Sequence, residues 1–587
     1  MYTILENARI VLALLKKHNI RHIVLSPGGS NIPIVQGVQQ DPFFKCYSVV
    51  DERSAMYFAI GLYLQTGEVV ATSCTSAQAT RNYVPGLTEA FYKHVPILAI
   101  TMSKHPMYLG QDYMQCPIQT SLPVDAVKHS YSLPCINTDN DRYQCIRIAN
   151  EAILELTHNG NGPVQLNIEE LDSQTWLFDK SINALEDVRA IKRYYTNNIS
   201  ENELANKRIL LLIGEHRPFS IKEVQAIESF SSQYNAIVYT NHISNIDCKY
   251  SIKGKIVSAM ASEKLFNEQL CPDILLTIGG LTGDYDIYNR LFKADNGRFE
   301  HWRIDIDGKV VDTYNKLTRI YQMSIEDFFG SFLQSKNIEV HSYYDAWKIL
   351  YDKIDFDVDV PLSHLFVALQ LYKKIPENSV MHFAILSSLN TWSYMPLDRT
   401  ITAYSNVAAF GIDGCLSTLV GQSVLTENSC FHITGDLSFF YDMNALGIRH
   451  IKNNLKILLV NNNGGMTFKF GNLQDQIDVS SYIAADNHFK NAKGWAETNG
   501  FKYISVYNKE ELSMNIDTFV SDSSMPILME VFTNPEDENK AYAIFNRANK
   551  LRTDSEEKRY RIIDGIKDII GEDGISELKK IKNRFNI

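Results

Sequence analysis

The chain has no apolar run approaching the roughly 18 residues that a membrane-spanning helix needs, no C-x-x-C pair among its nine cysteines, and no block of basic residues. The first absence argues for a protein outside the bilayer. The second suggests neither a zinc site nor a disulfide framework, so reducing cytoplasm is the expected compartment. The third, with a net charge of -11, argues against a nucleic-acid or anionic-membrane partner. No G-x-G-x-x-G follows a strand-like run in the middle of the chain, so a nucleotide site there is unsupported. The first residues lack the pattern of a signal peptide. Thr3 and Glu6 read as a capping box, opening a helix whose apolar face is Ile4, Ala8, Val11, Leu12 and Leu15, interrupted by Glu6 and Arg9.

What is present is an alternation. At 587 residues the chain is too long for one core, and a prior of about 150 residues per unit suggests three or four. Strand-like runs at His22 to Leu25, Cys46 to Val50, Val69 to Ser73 and Pro96 to Thr101 alternate with helical stretches such as Ala55 to Gln65 and Ala77 to Lys93. That is the pattern of a doubly wound parallel sheet. It resumes at Arg208 to Gly214 and Ile274 to Ile278, and again at Val380 to Ile385. The expected fold class is α/β, with three doubly wound parallel-sheet domains and a helical C-terminal extension. The expected bounds are 1–180, a linker over 181–207, 208–340, 360–545 and the extension 546–587. In that extension Tyr560, Ile563, Ile566 and Ile570 recur at helical spacing, and Ile575 to Arg584 reads as a second, basic helix. An intersubunit or lid contact is expected of this stripe.

The stretch Gly435 to Gly465 carries the most chemistry. An apolar run ends in Gly435-Asp436, an amphipathic segment follows, and a second run ends in Asn461-Asn462-Asn463-Gly464-Gly465. Strand, helix, strand places Asp436 and Asn462 at the carboxyl edge of one sheet, where open α/β folds bind ligands. A carboxylate, an amide oxygen and a close backbone carbonyl are hard donors of the kind Mg2+ takes together with phosphates. In the first third, Glu52 stands in Asp51-Glu52-Arg53-Ser54-Ala55 directly after a strand-like run. A carboxylate there gains from the helix dipole.

These motifs, with Ser26-Pro27-Gly28, TSAQATRNYVPGLTEA from Thr75, and Tyr404-Ser405-Asn406 before Phe410-Gly411-Ile412-Asp413-Gly414, resemble the thiamine diphosphate (ThDP) enzymes over residues 1 to about 545. The resemblance implies pyrimidine-binding, central and diphosphate-binding domains, in that order. It implies that Glu52 bonds the aminopyrimidine nitrogen and drives its amino-to-imino shift, and that Asp436, the side chain of Asn462 and the carbonyl of Gly464 hold Mg2+. Ile412 would wedge between the cofactor rings. Pro27, Thr75, Asn82, Ser387, Asn406, Gly435, Leu437, Ser438, Gly465, Met466 and Thr467 would complete the cofactor site. Gln115 would contact the adduct as a second catalytic residue. Ser30, Gln78, Lys104, His105, Gln119, Tyr285 and Asn390 would line the substrate pocket. Homodimers or homotetramers with active sites between chains are implied as well.

Within the family the motifs are most similar to those of the SEPHCHC synthases, which decarboxylate 2-oxoglutarate and add the acyl unit to isochorismate. The cationic positions of that pocket are matched here by Gly29-Ser30, Asp284-Tyr285 and Val407. Each missing charge-assisted contact costs about 1.5–3 kcal/mol, and Asp284 is expected to add repulsion. The expectation is therefore a 2-oxo acid decarboxylase that transfers its acyl unit to a less anionic carbonyl acceptor. A simple decarboxylase and a genuine SEPHCHC synthase are the alternatives, and a catalytically silent ThDP-binding subunit is the rival from another class.

Overall fold

The computed structural model describes residues 1–170, 178–332, 341–470 and 476–561. The chain forms two compact units, Met1–Thr196 with Ile306–Gln322, and Asn197–Asp305 with Met323–Ile587.

The first unit is built on six parallel strands: β1 His22–Leu25, β2 Lys45–Ser48, β3 Val70–Cys74, β4 Ile97–Ser103, β5 Ser130–Leu133 and β6 Val164–Glu169. They lie in the order β2-β1-β3-β4-β6-β5. Side chains alternate between two cores, as a strand repeat of two residues dictates. Ile23, Leu98, Ile100 and Met102 enter the core beneath the helix Glu6–Lys17. Val24, Ile97 and Ala99 enter the core beneath the helix Glu52–Thr66. Both faces are covered, the usual condition of parallel sheets. The same unit holds β7 Lys192–Tyr194, so the expected linker 181–207 is in part a strand. β7 pairs in parallel with β13 Leu317–Tyr321.

Two readings of this unit are corrected. The first helix begins at Glu6 after Leu5, without a side-chain cap, and the Thr3 hydroxyl instead accepts from the Leu5 N–H at 3.2 Å. Ile4 is exposed, while Arg9 is buried, donating to the carbonyls of Thr3 and Ile4 and pairing with Glu186 at 2.7 Å. An arginine that satisfies its whole fork can lie against a core. The expected helix 77–93 is also broken, into Gln78–Asn82 and Val84–Tyr92. Pro85, in the first turn of the second segment, accounts for the break, because it has no N–H to continue the helical ladder from the first.

The second unit carries two parallel sheets. One includes β8 Ile209–Ile213, β9 Ala236–Thr240, β10 Ser251–Lys253, β11 Ile274–Ile278 and β12 Glu300–Ile304, in the order β10-β9-β8-β11-β12. The other consists of β14 Val380–Phe383, β15 Thr402–Tyr404, β16 Cys430–Gly435, β17 Leu455–Asn461, β18 Lys502–Val506 and β19 Ile527–Phe532, in the order β15-β14-β16-β17-β19-β18. Numbered from its own first strand, that is the winding of the first unit's six-stranded sheet. One turn conformation also recurs, at different points of the two windings. Ala77 (φ 65°, ψ -118°) and Leu386 (φ 63°, ψ -120°) each precede a short helix after the sheet's third and first strand respectively. Such geometry costs a residue with a Cβ about 1–3 kcal/mol and marks functional turns.

The helix Pro535–Ala548 leads into residues 551–561, which meet the end of the helix Lys255–Met260. Leu551 exchanges backbone hydrogen bonds with Met260 and Ser262, and the Ser262 hydroxyl donates to Glu556 at 2.6 Å. The described part of the extension is thus fastened within its own unit. Ile563, Ile566, Ile570 and the second basic helix lie outside the described residues. Among the described residues no helix is long and apolar enough to cross a membrane.

Glu538, on the helix Pro535–Ala548, is buried and accepts from the His364 N–H and the Thr533 hydroxyl. Burial pushes its carboxyl from the ordinary 4.5 up to about 7. The folded chain therefore holds this proton where the unfolded chain has lost it, and stability falls as pH rises through that window. The fall is worth about 3 kcal/mol. Glu538→Gln should flatten it, read as urea midpoints between pH 5 and 8; an unchanged slope would show that another group titrates.

Candidate functional site

In the first unit the site residues gather at the carboxyl ends of β1, β2 and β3. Asp51 caps the helix Glu52–Thr66, accepting from the N–H groups of Arg53 and Ser54, and so fixes Glu52 as the first helical residue. The Asn82 amide donates to Glu52 Oε2 at 3.1 Å. Pro27-Gly28 turns tightly over Thr75: a Cβ on Gly28 would stand 2.4 Å from the Thr75 Cβ. The Thr75 hydroxyl accepts from the Ser30 N–H, and Ser30 itself is buried.

A cleft of about 540 Å3 beside this edge is lined by Gln78, Arg81, Tyr108, Asp112 and Gln115, among others. Gln78 and Gln115 are thus brought together. The other expected pocket residues of this unit are engaged elsewhere. Lys104 is paired with the buried Glu170 at 2.5 Å. His105 Nδ1 accepts from the Met107 N–H, capping a short turn. Gln119 is buried, accepts from the Ala77 N–H and donates to Met102 and Asn167. It braces the turn that carries Gln78 and does not face the cleft. Sequence could not separate these roles, because each depends on a partner distant along the chain.

In the second unit β16 and β17 pair in register, Gly435 beside Val460, so Asp436 and the asparagine run leave the sheet side by side. Asp436 is buried; Oδ1 accepts from the Leu437 N–H at 2.7 Å, and Oδ2 from the Gly464 N–H at 2.9 Å and His488 Nε2 at 3.0 Å. Burial raises its pKa, and His488 and the two N–H groups oppose that rise. His488 Nδ1 accepts from the Lys490 N–H, which leaves Nε2 as the donor to Asp436. Sequence reasoning missed His488, a single histidine in a polar segment without a motif around it.

The three asparagines differ. Asn461 binds Lys490 and Glu530, and Asn463 accepts from the Phe489 N–H. The side chain of Asn462 is only 8% exposed yet has no hydrogen-bond partner among the described residues. Its amide is not one of the enclosed polar groups left without a partner, so it is open to solvent and to a ligand. Its oxygen, with the open lone pair of Asp436 Oδ1 and a backbone carbonyl, fits a hard divalent cation. The glycines keep the loop close: a Cβ on Gly464 would stand 2.1 Å from Asp486 Oδ1, and Gly465 donates to the Ala484 carbonyl at 2.6 Å. Asp486 is held in turn by Lys469 at 2.5 Å.

Around this pair, the hydroxyls of Ser387 and Thr467 lie 3.0 Å apart, and Ser438 donates to the Ile412 carbonyl at 2.7 Å. The Asn406 amide donates to the Thr418 hydroxyl. Met466 is buried behind the loop, and Asn390 is half-buried on the helix Ser387–Trp392. Gly283 abuts Leu389 and Val407, and the exposed Tyr285 sets its ring edge-on to Phe410 at 6.0 Å. Asp284 corrects an expectation. It is buried, caps the helix Tyr285–Lys293, and binds Lys255 at 3.2 Å and the Tyr239 hydroxyl at 2.5 Å. Its charge is consumed within the fold and presents no repulsion.

Residues 6–122 match the model of the thiamine pyrophosphate enzyme N-terminal TPP binding domain. The chain is 34% identical over 551 residues to the 2-succinyl-5-enolpyruvyl-6-hydroxy-3-cyclohexene-1-carboxylate (SEPHCHC) synthase of Bacteroides thetaiotaomicron, covering 91% of this chain and 97% of that protein. It is 33% identical over 549 residues to the like-named protein of Phocaeicola vulgatus, with the same shares covered. To that of Christiangramia forsetii it is 30% identical over 571 residues, covering 91% and 96%.

Gly464→Ala should push the loop off Asp486 and weaken Mg2+-dependent uptake of ThDP at least about tenfold, in line with the cost of overpacking. Quenching of tryptophan fluorescence on titration with ThDP reads this, and wild-type affinity would show that the glycine is dispensable.

Proposed function

The chain belongs to the thiamine diphosphate enzymes, in the family of the SEPHCHC synthases, and from that premise we propose that it decarboxylates a 2-oxo acid and joins the acyl unit to a carbonyl acceptor. When bound, the cofactor supplies a carbon nucleophile that takes up the 2-oxo acid and accommodates the electron pair left by carbon dioxide. The protein's part is to hold, orient and move one proton. Glu52, held by the Asp51 cap and the Asn82 amide, would meet the pyrimidine ring and exchange a proton with it. Asp436, Asn462 and the Gly464 carbonyl would hold Mg2+, with His488 keeping the Asp436 carboxylate turned. Ile412, tied through its carbonyl to Ser438, would support the cofactor between its rings.

The bond from Asn82 to Glu52 carries the reading, because a silent binder has no chemical need of an oriented carboxyl group there. Two observations favour an acceptor less anionic than isochorismate: Val407 is buried, and Lys104 is neutralised by Glu170. The proposed assembly is a homodimer or homotetramer, with sites completed between copies.

Glu52→Gln should lower carbon dioxide release from a panel of 2-oxo acids about 10²–10⁴-fold, the usual worth of a general acid–base group, while ThDP affinity stays within a few-fold. Wild-type turnover in that variant rejects the assignment. The same panel with and without aldehyde and ketone acceptors separates carboligation from simple decarboxylation.

A further inference from the structure

We propose that Arg81 is the specificity-determining residue of the first-unit cleft, holding a carboxylate of the donor other than the one released. The inference rests on the decarboxylase reading above. Arg81 lines the cleft with Gln78 and Gln115 and directly precedes Asn82, the residue bonded to Glu52. Its guanidinium is exposed and spends one nitrogen on the Ile118 carbonyl at 2.5 Å. Among the described residues no carboxylate stands within ion-pairing distance of it. A guanidinium carries five donors in a planar fork, so the other nitrogens are open to a bidentate partner.

The neighbouring cations are not equivalent. Lys104 is committed to Glu170, and His105 caps its own turn. Among the described residues Arg81 is therefore the cation this cleft offers a ligand. Which carboxylate it takes follows from the chemistry. Carbon dioxide leaves uncharged, so a cation gripping the departing carboxylate would favour the ground state and slow the step. A carboxylate that persists through the reaction is held equally before and after, and adds binding without that penalty. Asp112 lines the same cleft without pairing to Arg81, and its charge disfavours a second anion beside the first.

The test compares 2-oxoglutarate with 5-methyl-2-oxohexanoate, which has the same tail shape without the charge, in the ThDP- and Mg2+-loaded enzyme. The wild type should prefer 2-oxoglutarate in kcat/KM, chiefly through KM. Arg81→Gln should reduce that preference about 10–100-fold, the worth of a charge-assisted pair. Asp112→Asn should raise it about 2–5-fold, and reads the same charge should the glutamine variant fail to fold. Calorimetric titration with glutarate should follow the same order. A preference unmoved in both variants, or a wild type that favours neither acid, overturns the role of Arg81 and leaves the proposed function standing. A wild type that releases carbon dioxide from no 2-oxo acid, yet binds glutarate through Arg81, overturns the function instead.

Discussion

The chemistry of the second unit depends on one parallel pairing. Because β16 and β17 run side by side with Gly435 opposite Val460, a carboxylate and an asparagine run separated by a whole crossover emerge at the same height. A shift of the pairing by one residue would turn alternate side chains to the other face and take Asp436 away from the Gly464 N–H. The register is secured by buried strands of nearly continuous apolar character, Leu455–Asn461 above all. The position of the polar donors is thus set by hydrophobic packing some distance from them.

Asp436 shows how such a site is kept ready. A buried carboxylate without partners would give up its charge. Here two backbone N–H groups and one imidazole oppose the effect of burial, and the remaining lone pair on Oδ1 stays open. The loop opposite is tied by Gly465 to Ala484 and by Asn463 to Phe489. Rigid supports of this sort leave little ordering for a ligand to bring about on binding.

Much of this was legible in the sequence. The three parallel sheets, the strand-end placement of Asp436 and Asn462, and the start of a helix at Glu52 follow from apolar periodicity and from short motifs whose residues act locally. The misreadings share a different character. Thr3 looked like a cap, Lys104 and Gln119 like pocket residues and Asp284 like a repulsive charge. Each is a polar side chain whose partner lies far along the chain or in a neighbouring turn, and a linear pattern holds no record of such a partner. His488 was missed for the converse reason, since its importance comes wholly from Asp436, 52 residues earlier.

The two six-stranded sheets share a winding, and each sets a residue with a Cβ in the same improbable backbone conformation ahead of a short helix. The turns follow different strands, the third in one sheet and the first in the other, so the winding alone is common to the two. One winding thus serves two different polar edges, Glu52 beside one and Asp436 with Asn462 beside the other, so what each edge can bind is decided by its loops and not by the order of its strands.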